Sequence, residues 1–315
     1  MCLVITLSAC STVPKNTQDI DFNRVYSVNN IESGLLAKYA PILRIENSDR
    51  QFNKVGTVTA RKDKNNKELI EIDTGRATLY GEQTRFTGQH GHYTNLIYRF
   101  HFSRVPFRVW PFSLTYGRNV GLFVIITLNE DEQPVLVSTV HSCGCYLAFI
   151  PTDQLIDSAP PKDWANNGQI VFGEKLPGLI KINDKNSRFI IDLRTESHRV
   201  HGVSVAPSDL SPDIEITPMR LAAIDELRSL PIGDETTSLF SQQGPRKGYV
   251  KGSHKPFEAL LMSWWALDPR IGVDKDYGDP EKTGTIFYTS LKPWKRKVSN
   301  MWPFTDFLEF WGWSL

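Results

Sequence analysis

The stretch GLFVIITLNEDEQPVLVSTVHSCGCYLAF, residues 121–149, decides how this chain is read. Its first run, Gly121 to Leu128, and its second, Pro134 to Phe149, are largely apolar and β-branched, and the polar loop Asn129 to Gln133 separates them. Two β-rich runs around a few polar residues form a hairpin. Neither run alternates cleanly with polar residues, so both strands are expected in the middle of a sheet that is covered on both faces. Just upstream, Leu96, Tyr98, Phe100 and Phe102 alternate with Asn95, Arg99, His101 and Ser103. That is a half-buried strand with an aromatic inner face, and it turns His101 towards solvent.

Further out the same pattern recurs. PILRIE, KVGTVTAR, ELIEID and ATLY precede the central block, punctuated by the turn-rich DKNNK and DTG, while QIVFG, RFIIDLR and HGVSVAP follow it. Short alternating runs between turn residues predict antiparallel meanders, so the expected core is a mainly β antiparallel sandwich or barrel-like sheet. A short helix is expected within Ile31 to Tyr39. From Thr217 the period changes: TPMRLAAIDELRSL offers Thr217 as cap, Pro218 at the first helical position, and Leu221, Ile224 and Leu227 along one face. A second helix is expected in FEALLMSWWAL. The fold class is therefore α+β overall, with a mixed helical and loop C-terminal portion. Residues 1–10 read as a leader, 11–30 as a polar tether, 31–205 as the mainly β domain and 206–315 as a helical, aromatic-rich portion packed on it.

The chain has 315 residues, with 36 Lys and Arg against 35 Asp and Glu. A net charge of +1 supplies no basic surplus for a polyphosphate backbone, which argues against nucleic acid as a partner. No apolar run after the leader reaches the roughly 20 residues that span a bilayer.

The start, MCLVITLSAC, is a short apolar run that ends in small residues before a cysteine, and Leu7-Ser8-Ala9-Cys10 resembles the lipobox of bacterial lipoproteins. The resemblance implies cleavage before Cys10, a diacylglycerol on its thiol and an acyl chain on its amine. Ser11, rather than an Asp, resembles the sorting class that reaches the outer membrane, facing the periplasm. Several acyl chains anchor a protein stably without a membrane-spanning helix. No Lys or Arg precedes the apolar run, which departs from the family's pattern, so a basic segment is expected upstream of Met1. With Cys2 removed and Cys10 acylated, Cys143 and Cys145 are left as thiols in an oxidising compartment.

In an extended strand positions two apart share a face about 7 Å from one another, so His141, Cys143 and Cys145 would converge on one side. His90 and His92, in GQHGHY, repeat that spacing. If the two segments are neighbours, the five side chains suit Zn or thiophilic Cu(I). A second reading is redox: Cys143 and Cys145 could form a strained, easily reduced disulfide if Gly144 bends the chain. A third is simple packing of buried cysteines. The acidic group Asp268, Asp274, Asp276 and Asp279 departs from EF-hand spacing and reads as a solvated loop, while His198 and His201 read as surface or turn residues. Phosphate-loop, nucleophile-elbow, HExxH and dinucleotide signatures are absent.

Six of the eight tryptophans, Trp264, Trp265, Trp294, Trp302, Trp311 and Trp313, lie after residue 260, beside Lys292, Lys295, Arg296 and Lys297. Indole favours the lipid–water boundary and cations attract anionic headgroups, so this aromatic tail is a candidate membrane contact, against the alternative of a helix docked on the core. Three functions follow: an envelope lipoprotein binding a thiophilic metal, a thiol–disulfide exchange protein, and a non-enzymatic interaction or structural lipoprotein. Whether the chain is an enzyme stays open at this point.

Overall fold

The central hairpin forms as expected, and the rest of the sheet is laid out around it. A computed structural model describes residues 24–29, 34–110, 112–182, 184, 186–207 and 214–315. In chain order the first half comprises β1 (Arg24–Val28), α1 (Leu35–Lys38), β2 (Ile42–Ile45), β3 (Thr57–Lys62), β4 (Glu68–Asp73), β5 (Thr78–Thr87), β6 (His92–Val105), β7 (Gly117–Leu128), β8 (Pro134–His141) and β9 (Ala148–Pro151). The second comprises β10 (Gln169–Val171), β11 (Glu174–Leu176), β12 (Phe189–Leu193), β13 (Val200–Val205), β14 (Glu215–Ala223), β15 (Leu230–Ile232), β16 (Glu235–Thr237), α2 (Pro256–Ala266), α3 (Pro280–Thr283) and α4 (Phe304–Phe310). The expected leader, with Cys10, lies outside the described residues.

Ten strands form one nearly closed, barrel-like sheet in the order β13-β12-β2-β1-β14-β5-β6-β7-β8-β9. The fold is mainly β, as the alternating runs predict. From β5 to β9 the pairing is an antiparallel meander, but β14 lies parallel to both β1 and β5, and β12 parallel to β2. Inside the curve, the inward residues of these strands form one apolar cluster that includes Tyr98, Phe100, Phe102, Leu122, Val124 and Val137. The outer face of β5 to β8 is covered in turn by residues from the last third of the chain, among them Phe240, Phe287, Met301, Phe307 and Trp313. Every residue of β8 is buried, as its unbroken apolar character predicts for a strand covered on both sides.

Three expectations are corrected. Residues 217–230 do not form a helix: Glu215–Ala223 is strand β14, followed by a short 3-10 turn, Ile224–Arg228. Pairing between β1 and β5 overrides a helical period, and Ala222, Ile224 and Leu227 spend their apolar surface in the outer cluster instead. The end of the expected tether, Arg24–Val28, is strand β1, held between β2 and β14. Finally, the outer face of β6 does not meet water. Asn95, Arg99 and His101 are buried because the C-terminal portion lies over them, with Arg99 between the rings of Phe123 and Phe240 at 4.9 and 5.2 Å. The helix expected in FEALLMSWWAL is present as α2.

Candidate functional site

The segment from His141 to Tyr146 is a tight turn between β8 and β9, not a continued strand. The amide of Gly144 donates to the carbonyl of His141 at 2.7 Å, and the amide of His141 donates to the carbonyl of Cys145 at 2.9 Å. Gly144 makes the turn feasible: its φ is +91°, and a side chain there would run into the carbonyl oxygen of Tyr288. The two thiols are consequently brought together on one small loop instead of standing on one face of a strand. Both are free cysteines, Cys143 being 3% exposed and Cys145 half-buried.

The loop is locked from outside by residues far along the chain. Lys275 donates from its backbone to the carbonyl of Ser142 at 2.8 Å and from its ammonium to the carbonyl of Cys143. That ammonium also lies 4.1 Å from the centroid of the Tyr288 ring, whose hydroxyl donates to Asp268 at 2.6 Å. Asp274 accepts from the hydroxyls of Ser142 and of Ser253, the latter at 2.6 Å, and its carboxylate stands 3.9 Å from the ammonium of Lys255. Glu258, in the first turn of α2, places its carboxylate 3.9 Å from the Cys145 sulfur. Room for that carboxylate comes from Gly272, since any side chain there would collide with it. Asp268 and Asp274 are thus buried participants, and Asp276 is buried against Arg228, so this is not the solvated loop that their density of charge suggests.

These neighbours set the protonation of the pair. A hydrogen bond from the Cys145 thiol is the largest influence on Cys143 and, against the opposing effect of burial, brings it down to about 7, with the Lys255 ammonium adding to the lowering. Cys145, which supplies that hydrogen bond, is held well above the ordinary thiol range. The pair therefore titrates as a unit, with Cys143 giving up its proton before Cys145. Burial opposes the charge on Lys255, but Cys143, Asp274 and Glu258 together keep its ammonium well above the usual lysine range. Burial prevails at Lys275, whose pKa is lowered.

His141 is close to this loop but serves a different purpose. Its Nε2 bonds to the carbonyl of His198 at 2.9 Å, and the Nε2 of His198 bonds to the carbonyl of Phe52 at 2.8 Å. Burial brings His141 down to about 4 and His198 to about 3, so both are neutral imidazoles that tie β8 to the turn before β13. His198, expected at the surface, is stacked on Phe102 with centroids 4.0 Å apart.

The grouping of five ligands is not realised. His141 pairs across β7 at Leu122, which in turn faces Phe100, so His92 lies eight residues, or about 26 Å, further along β6. His92 is exposed beside Thr87 at 3.0 Å, and His90 is exposed in the turn beyond it. The alternation expected through Cys145 stops at His141, where β8 ends, and β6 and β8 run in the same direction on either side of β7, so the start of β6 lies far from the end of β8. Among the described residues no group of three or more His, Cys, Asp and Glu side chains is placed to hold a metal ion. Lys255, Glu258 and Lys275 were missed by sequence reading, and Asp274 was noticed but read as part of a solvated loop; the closely spaced charges of VDKDYGDP were the available signal for Asp274 and Lys275.

No family model, curated protein or solved structure matches the chain.

Proposed function

We propose that this chain is an envelope lipoprotein, anchored through Cys10, that carries out thiol–disulfide exchange at Cys143 and Cys145. The observation that supports the exchange reading is a pair of free thiols on one glycine turn beside a buried ammonium. The lipid anchor, and with it placement in the outer membrane, rests on the lipobox resemblance of residues 7–10.

In the proposed reaction the Cys143 thiolate attacks one sulfur of a substrate disulfide. The S–S bond breaks, its electron pair leaves on the other sulfur as a thiolate, and a mixed disulfide joins Cys143 to the substrate. Cys145 then gives up its proton to the departed thiolate and attacks Cys143, forming the Cys143–Cys145 bond and releasing the second substrate sulfur. The substrate disulfide gains two electrons and the dithiol loses them. A ring closed across a single residue is strained, so the reduced pair is the favoured state and the oxidised pair is readily returned to it by exchange with another thiol. The slight exposure of Cys143 favours a small or narrow disulfide over a broad protein surface.

Mass spectrometry of the full chain mixed with oxidised glutathione tests this. Expected are a glutathione adduct, its conversion to a chain lighter by two hydrogens, and a trapped adduct in Cys145→Ser. A Cys143→Ser chain that reacts as fast as the unaltered one sinks the proposal. So does purified chain that holds stoichiometric Zn or Cu through both thiols and is inert until the metal is removed.

A further inference from the structure

The exposed side of α2 is the reverse of what water selects. A surface helix presents polar residues outward and buries its apolar stripe. Here Leu260, Leu261, Trp264 and Trp265 point out, while the helix's one charged residue, Glu258, points in. Trp264 is 73% exposed.

Two further segments extend this face. Phe107 and Phe112 pack on Phe257 of α2, with ring centroids 5.5 and 4.9 Å apart, and between them Trp110 stands 88% exposed. At the other end, the guanidinium of Arg296 donates to the carbonyls of Ala266 and Leu267, which fixes the segment Lys292–Lys297 against the end of α2. That segment adds Trp294, 76% exposed, together with the exposed ammonium groups of Lys292, Lys295 and Lys297. Scattered surface apolar residues are ordinary, but a contiguous set of this kind marks a binding surface.

We infer that α2, the Phe107–Phe112 loop and the Trp294 segment form a docking face for a bilayer surface rich in anionic headgroups. The chemistry decides between occupants. Four exposed indoles beside aliphatic side chains suit the boundary between headgroups and acyl chains, and the flanking lysines complement anionic lipid. A second copy of the chain would bring like-charged lysine clusters together. The face takes in Trp264, Trp265 and Trp294 of the tail expected from sequence but not its end: Trp313 is buried against Phe149 and Trp164, Trp302 packs on Tyr277, and α4 lies in the outer cluster. Exchange at Cys143 is not required for the inference, although α2 carries Glu258 on its inner side and so sets the thiol loop close behind the docked face.

The test uses the full chain with Cys10→Ser, so that no acyl group contributes to binding. It should sediment with vesicles of phosphatidylglycerol and phosphatidylethanolamine, and more weakly with phosphatidylcholine alone. Trp110→Ser with Trp264→Ser should weaken partitioning by about tenfold or more, and neutralising Lys292, Lys295 and Lys297 to Gln should abolish the preference for anionic vesicles. All five side chains are exposed, so circular dichroism and thiol reactivity should be unchanged. No vesicle binding by the Cys10→Ser chain overturns the inference, as does a stable dimer that Trp110→Ser disperses.

Discussion

Two loops hang from opposite ends of β8 and are built on opposite principles. Asn129 to Gln133, before the strand, is solvent-facing and closed by its own bonds, with two outside donors, the Tyr39 hydroxyl to the Glu132 carbonyl at 2.7 Å and the His92 amide to Glu130 at 3.1 Å. The side chain of Asn129 accepts from the amides of Asp131 and Gln133 at 3.1 and 2.8 Å, and the Asn129 amide donates to the carbonyl of Gln133 at 3.0 Å. Ser142 to Leu147, after the strand, is buried or half-buried and is held by Ser253, Lys255, Glu258, Asp274, Lys275 and Tyr288. The first loop is a local solution to reversing the chain. The second exists only because the last third of the molecule folds over it, and so it can carry buried charge that no local turn sustains.

The sharpest way to break this comparison is at the backbone. Both loops enter the left-handed region, the first at Glu132 with φ 57° and the second at Gly144 with φ 91° and at Tyr146 with φ 59°. Gly144→Ala should cost about 3 kcal/mol or more, because the new methyl group meets the Tyr288 carbonyl and the backbone loses the freedom that it uses. Glu132→Gly should instead be neutral or stabilising by up to about 1 kcal/mol, since the position is exposed and glycine prefers that region. Urea unfolding of both variants measures the contrast. Equal losses would mean that the thiol loop is no more constrained than the polar one.

Acid should distinguish the two ends next. His141 and His198 are buried and neutral, with pKa values lowered to about 4 and about 3. In the unfolded chain each binds a proton below its ordinary value of about 6.5, so between that pH and the folded values the unfolded state holds more protons. Stability should therefore fall as pH drops from about 6.5 towards 4, at about 1.4 kcal/mol per pH unit for each histidine, and recover as pH rises. His198→Gln should flatten the dependence in thermal melts recorded across that range. A dependence unchanged by this variant would show that His198 is not held neutral.

The same contrast explains what could be read in advance. The β7–β8 hairpin, the aromatic face of β6 and the short strands β2 to β5 were legible because period-two alternation is local, and Asn129 to Gln133 was legible because its bonds are local too. Strand β14 was not, since its role depends on β1 and β5, which are distant in sequence. At the site, Cys143 and Cys145 stood out by residue type, but the residues that tune them did not. Lys275 reaches the Cys143 carbonyl across 132 positions, and Asp274 reaches Ser142 across the same number. Alternation could place side chains on a face of β6 without revealing that its other face would be covered, which is why His101 was expected in water.

The smallest effect isolates one of those distant partners. Lys255 is buried 3.9 Å from Asp274, and its ammonium lowers the Cys143 thiol, though less than the hydrogen bond from Cys145 does. Lys255→Met keeps most of the stem's apolar contact and removes the charge, so the Cys143 value should rise from about 7 by up to about one unit. The thiolate fraction available at neutral pH falls accordingly, and alkylation by iodoacetamide should slow by as much as about tenfold, with the midpoint of its pH profile displaced upward. Lys255→Arg, which retains the cation, should recover most of the profile. An unshifted midpoint in the Met variant would mean that the thiol pair sets its own protonation, and that the buried lysine belongs to Asp274 and the architecture of the loop alone.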